Sequence, residues 1–85
     1  MSYEVKFDPA ASDFLSKLDA EPRRRLYEKI MDASLNPRHF FERLSGRRDY
    51  KLRIGDYRVI ADIDRIVGLI EITYIEHRKK VYKTK

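Results

Sequence analysis

Residues 50–63 read Tyr50-Lys51-Leu52-Arg53-Ile54-Gly55-Asp56-Tyr57-Arg58-Val59-Ile60-Ala61-Asp62-Ile63. Two strand-like runs flank a Gly55-Asp56 pair, the pattern of a hairpin closed by a two-residue turn. Side chains alternate along a strand, so Tyr50, Leu52 and Ile54 share a core face with Tyr57, Val59, Ala61 and Ile63. The turn then pairs Ile54 with Tyr57, Arg53 with Arg58, Leu52 with Val59 and Lys51 with Ile60. The opposite face carries Lys51, Arg53 and Arg58. Like charges set directly opposite one another destabilise an antiparallel pair, and a bound polyanion is the expected source of the missing negative charge. A solvated outer face is the plainer account of charged strand residues, but it leaves the opposed arginines unexplained.

The segments on either side of the hairpin complete an α+β pattern. Leu69–Ile75 is β-branched and nearly continuous, as in a well-covered third strand, with Asp64 to Gly68 as the turn before it. Upstream, Tyr3, Val5 and Phe7 alternate with Ser2, Glu4 and Lys6, which predicts a half-buried strand. Asp8-Pro9 then matches an N-cap followed by proline in the first helical turn. Ala11, Phe14, Leu15 and Leu18 give one apolar helical face. A second helix starts between Asp19 and Pro22, carries Leu26, Ile30 and Ala33, and has Tyr27 and Met31 on its flank. Asn36-Pro37 ends it, because the residue before proline is pushed out of helical geometry. Residues 36–47 read as a connector with Leu44 buried and Ser45-Gly46 turning. The expected order is β-α-α-β-β-β over residues 1–85, one domain with the two helices, as a short hairpin, on a small, mainly antiparallel twisted sheet.

Eighty-five residues allow a modest core. The chain has no cysteine, which excludes a disulfide framework and a thiolate metal site. There is no spaced His/Asp/Glu set for a metal, no glycine-rich nucleotide loop and no Ser/His/Asp constellation. The N-terminal stretch lacks the apolar run of a signal peptide, and no segment approaches transmembrane length. The expectation is a soluble cytoplasmic protein without cofactor, metal or membrane contact.

Charge divides the chain. Residues 1–42 balance to −1, whereas residues 43–85 balance to +6. The C-terminal segment adds Arg78, Lys79, Lys80, Lys83 and Lys85 with no acid among them. Such asymmetry points to nucleic acid or an acidic protein partner. Arg23, Arg24 and Arg25 lie in the first turn of the second helix, the unfavourable end for cations; they read as a solvated face before a functional patch. Beyond the third strand come His77, able to transfer protons near neutral pH, and Tyr82, a ring for stacking on a base. His77 is expected at the sheet edge.

Leu44-Ser45-Gly46, then Tyr50 to Val59, then His77-Arg78-Lys79-Lys80-Val81-Tyr82 together resemble the RelE/ParE toxin superfamily, most closely RelE-like mRNA interferases. The resemblance covers nearly the whole chain. It implies the toxin of a type II toxin–antitoxin system, an endoribonuclease that enters the ribosomal A site and cuts messenger RNA. The implied chemistry is metal-free attack of a ribose 2′-OH on the adjacent phosphate, which needs a base, an acid and cations on the phosphorane. The implied catalytic set is Lys51, Arg53, Arg58, His77, Arg78 and Tyr82, with RNA or ribosome contacts from Arg47, Arg48, Lys79, Lys80 and Lys83. Lys51 is the candidate base, because crowding by cations disfavours a charged amine. Arg58 matches the phosphate ligand and Tyr82 the residue that orients the substrate. Arg53 stands where some members have a second lysine, and arginine is not a free base, so the base is Lys51 or His77. Some relatives use arginine as the acid and others histidine; with His77 and Arg78 adjacent here, His77 is the favoured acid and Arg78 the phosphate clamp. A RelB-like antitoxin with an acidic wrapping segment is the implied partner, in a hetero-oligomer that binds operator DNA. The alternatives are a ParE-like toxin that inhibits DNA gyrase without nuclease activity, or a catalytically inactive RNA-binding module.

Overall fold

The computed structural model describes residues 3–44 and 49–77. The elements are β1 (Glu4–Phe7), α1 (Pro9–Ser16), α2 (Ala20–Ala33), α3 (Pro37–Phe40), β2 (Glu42–Arg43), β3 (Tyr50–Ile54), β4 (Tyr57–Asp64) and β5 (Leu69–His77). The five strands form one mixed sheet in the order β1-β5-β4-β3-β2. β1 runs parallel to β5, with Glu4 opposite Leu69 and Phe7 opposite Ile72. The other pairings are antiparallel.

The hairpin has the register that its two-residue turn demands: Ile54 faces Tyr57, Arg53 faces Arg58, Leu52 faces Val59 and Lys51 faces Ile60. Gly55 takes φ 59°, a conformation glycine adopts without steric cost, and glycine at the first turn position suits the strand twist. The next turn is held by Asp64, whose Oδ1 accepts from the Ile66 and Val67 amides at 3.0 and 3.1 Å. Gly68 closes it at φ 81°.

One face of the sheet is covered. Ala11 and Leu15 of α1 and Leu26, Ile30 and Ala33 of α2 are buried with Leu52, Ile54, Val59, Ala61, Ile70, Ile72 and Ile75. Fully burying an aliphatic side chain of this size is worth about 1.5–3 kcal/mol, so this layer supplies most of the stability. Tyr27 flanks it, stacked on Phe7 with ring centroids 6.0 Å apart.

Three features differ from the sequence expectation. The connector contains α3 and the two-residue β2, both too short for periodicity to register. Leu44 is half-buried, not buried. Asp8 occupies the N-cap position of α1 in extended geometry, yet makes no capping hydrogen bond with its side chain. Instead its carboxyl meets Glu71, and the hydrogen bond and repulsion between the two carboxyls push the Glu71 carboxyl above its ordinary range. The expected Ser45-Gly46 turn lies outside the described residues.

Candidate functional site

β5 decides which residues meet at the site. Along β4, Val59 and Ala61 point inward and are fully buried, so Arg58, Ile60 and Asp62 point outward. On β5, Ile70 and Ile72 are inward and fully buried. Strict alternation would then send Tyr74 and Glu76 inward as well. It does not, because Ala61 pairs with Ile72 while Ile60 pairs with Tyr74, leaving Thr73 as an extra residue. This is a β-bulge, and the Thr73 hydroxyl donates to the Ile60 carbonyl oxygen at 3.3 Å across it. Past the bulge Ile75 is the buried residue, at 2% exposure, and Tyr74 and Glu76 face outward.

The outer face therefore carries a row Arg53–Arg58–Glu76 across β3, β4 and β5. Arg58 Nε donates to Glu76 Oε2 at 2.7 Å, and Arg58 Nη2 pairs with the same oxygen. The negative charge expected from an external polyanion is thus partly internal: the chain neutralises Arg58 with Glu76 from the neighbouring strand. No such carboxylate was legible, because its position depends on the bulge. Among the described residues none forms an ion pair with Arg53, which is exposed.

A second row runs Glu42–Lys51–Ile60–Tyr74. Lys51 Nζ lies 3.9 Å from Glu42 Oε1, its side chain 22% exposed. The nearest charge to the candidate base is a carboxylate, in place of the crowd of cations expected there. Three cations against two carboxylates leave one net positive charge on this part of the face, and Arg53 holds it without a partner among the described residues.

His77 does not join this group. The bulge turns it to the helix side of the sheet, where it pairs with Tyr57 and packs edge-on against that ring at 4.8 Å. It is the last residue of β5, within the strand and not beyond it. There it borders a cavity of about 350 Å³ that Arg25, Leu26, Gly55 and Tyr57 also line. The remaining members of the arginine triplet are held locally: Arg24 bonds Glu21 and Glu28 at 2.6 and 3.2 Å, and Arg23 donates to the Leu18 carbonyl oxygen at 3.1 Å. Arg47, Arg48, Arg78, Lys79, Lys80, Tyr82 and Lys83 lie outside the described residues. So Lys51, Arg53 and Arg58 share one open surface, and His77 is behind it. Among the described residues no group of His, Cys, Asp and Glu side chains has the makings of a metal site, and no helix is long and apolar enough to cross a membrane.

The model of a family described as the ParE toxin of type II toxin–antitoxin systems matches residues 5–82. A comparison with curated protein sequences finds no match. Among solved structures, the toxin–antitoxin complex RelBE2 from Mycobacterium tuberculosis superposes with a TM-score of 0.81 at 26% identity, covering 92% of this chain and 100% of that one. The archaeal RelE–RelB complex from Pyrococcus horikoshii OT3 gives 0.76 at 28% identity, covering 92% and 97%. The isolated E. coli RelE toxin gives 0.76 at 22% identity, covering 96% and 93%, a likeness of fold.

Proposed function

The chain belongs to the ParE toxin family of type II toxin–antitoxin systems, and from that premise we propose that it is a metal-independent endoribonuclease cutting messenger RNA in the ribosomal A site. The observation that carries this reading is the convergence of Lys51, Arg53 and Arg58 on the open face of one hairpin. A strand phosphate seats on Arg53 and on the part of the Arg58 guanidinium that Glu76 leaves open. The ribose 2′-OH attacks that phosphate, the bond to the 5′-oxygen breaks, and a 2′,3′-cyclic phosphate and a 5′-hydroxyl result. Charge grows on the phosphorane oxygens in the transition state, where fixed guanidinium groups stabilise it most. Lys51 is the base in this scheme. With His77 on the far side of the sheet, Arg78 is the preferred proton donor to the leaving oxygen.

The same reading includes a RelB-like antitoxin whose acidic segment covers the cationic face, in a complex that binds operator DNA, in the cytoplasm. Electrostatic complementarity of this kind sets partner choice and association rate. RelB partners the toxins in the M. tuberculosis and P. horikoshii structures.

The Arg58–Glu76 ion pair also favours a second reading. A guanidinium already neutralised is a weaker phosphate ligand, and a toxin that inhibits gyrase by protein contact needs none. Induced expression followed by primer extension on a translated message separates the two. Codon-phased cuts with the wild type, reduced about a hundredfold or more in Arg58→Ala and Arg53→Ala, are the expected outcome. Uncut message with collapsing DNA supercoiling replaces the nuclease reading with the gyrase one. Ribosome binding without cutting leaves an inactive RNA-binding module.

A further inference from the structure

The bulge at Thr73 delivers a second residue to the outer face, and nothing in the cleavage scheme uses it. Tyr74 is 49% exposed in the middle of a strand whose neighbours Ile72 and Ile75 are buried. Bulges recur next to active sites, where they re-aim a side chain, and here the Thr73 hydroxyl ties the bulge to β4. We propose that Tyr74 is a stacking platform for a nucleobase of the RNA strand whose phosphates Arg53 and Arg58 hold. The inference rests on reading this face as an RNA site.

Placement supports it. Tyr74 stands opposite Ile60, and Ile60 opposite Lys51, so one row of the sheet runs from ammonium through an aliphatic seat to a phenol ring. Arg58 is on the same face two residues from Ile60, which makes it a diagonal neighbour of Tyr74, about 7–8 Å away for such positions. The surrounding outward residues Glu42, Lys51, Arg53, Arg58, Asp62 and Glu76 are all charged, so the Tyr74–Ile60 surface is an apolar step inside a charged field. A ring beside cations is what single-stranded RNA requires. Phosphates take the cations, and bases, splayed from the strand, take the ring. Those six charges cancel, three cations against three carboxylates, and Arg53, without an ion-pair partner among the described residues, is the cation left to hold a phosphate.

The test uses the full chain and equilibrium anisotropy with two labelled oligonucleotides. One is a 2′-O-methyl RNA trinucleotide, which resists cleavage because the attacking hydroxyl is capped. The other is an abasic chain of equal length and charge. Tyr74→Ala is expected to weaken binding of the first about tenfold or more, the scale of one base–aromatic stack, and to leave the second unchanged. Tyr74→Phe keeps the ring and binds like the wild type, and circular dichroism checks that both variants fold. An equal loss on both oligonucleotides, no loss on either, or no binding by the wild type overturns the proposal. Cleavage is not part of the readout. If the message is never cut and the base-dependent loss still holds, the nuclease reading fails and the platform stands; codon-phased cutting with no base-dependent loss does the reverse.

Discussion

On the inner face of the sheet Val59, Ala61, Ile70 and Ile72 are fully covered, while a single residue away on each strand the outer face holds Arg58, Glu71 and Glu76 against water. The inner face gains from removing area from solvent, a force that is non-directional and tolerant of which aliphatic residue supplies it. The outer face depends on which charge stands opposite which. Arg58 is stable there because Glu76 is its neighbour on β5, and Glu76 is its neighbour because of one extra residue. A sheet can therefore keep its core and rewrite its surface chemistry by a shift of one position.

Inserting one alanine directly after Thr73 is the most severe way to break this division. Residues beyond the insertion then exchange faces, since a one-residue slip sends every side chain to the other side. Glu76 would enter the apolar layer away from Arg58, and the cost of a buried unpaired carboxylate, several kcal/mol, takes up most of the roughly 5–15 kcal/mol that stabilises a domain. The expected result is loss of a cooperative thermal transition, followed by circular dichroism. A native-like melt would mean that β5 does not use its faces as described.

Glu76→Gln sharpens the comparison more gently. It keeps the shape, removes the charge from the pair with Arg58, and is expected to cost about 1 kcal/mol in urea denaturation, given a partner that is 42% exposed. No change in the midpoint would mark the ion pair as energetically neutral.

The smallest effect is expected at the acidic end of the outer face. Glu71 is held up by its hydrogen bond to Asp8 and by that carboxyl's charge. An acid whose folded pKa is raised opposes folding once ionised, so the penalty is absent at low pH and develops as pH rises from the ordinary carboxylate range through the raised value. Glu71→Gln should raise the melting temperature slightly at pH 7, with the gain disappearing below the ordinary carboxylate range. A gain of equal size at low pH would place its cause outside this titration.

The hairpin from Tyr50 to Ile63 was legible pair by pair, because alternation, a Gly-Asp turn and a buried face all fix the same register. The helices were legible for the same reason: Leu26, Ile30 and Ala33 recur at helical spacing and are buried. The last strand was not. Glu71 marks the outer face before the bulge and Glu76 marks it after, five residues on, an odd spacing that strict alternation does not allow; the run Ile72 to Ile75 between them has no charged residue to show where the switch falls. The site inherited that uncertainty. Lys51, Arg53 and Arg58 could be grouped from the hairpin alone, whereas the partner role of Glu76, the outward turn of Tyr74 and the inward turn of His77 all depend on Thr73. The two residues of β2 were invisible because a pair of positions carries no period.

The sheet order β1-β5-β4-β3-β2 also dictates a sequence in time. Among the described residues β1, nearest the start of the chain, pairs only with β5, the last of the five strands, Glu4 lying beside Leu69. The meander of β3, β4 and β5 closes short loops, while docking β1 must close a loop of most of the chain, the slower kind of contact. Until β5 has left the synthesising machinery, β1 lacks the strand it pairs with in the folded sheet, and the molecule stays incomplete.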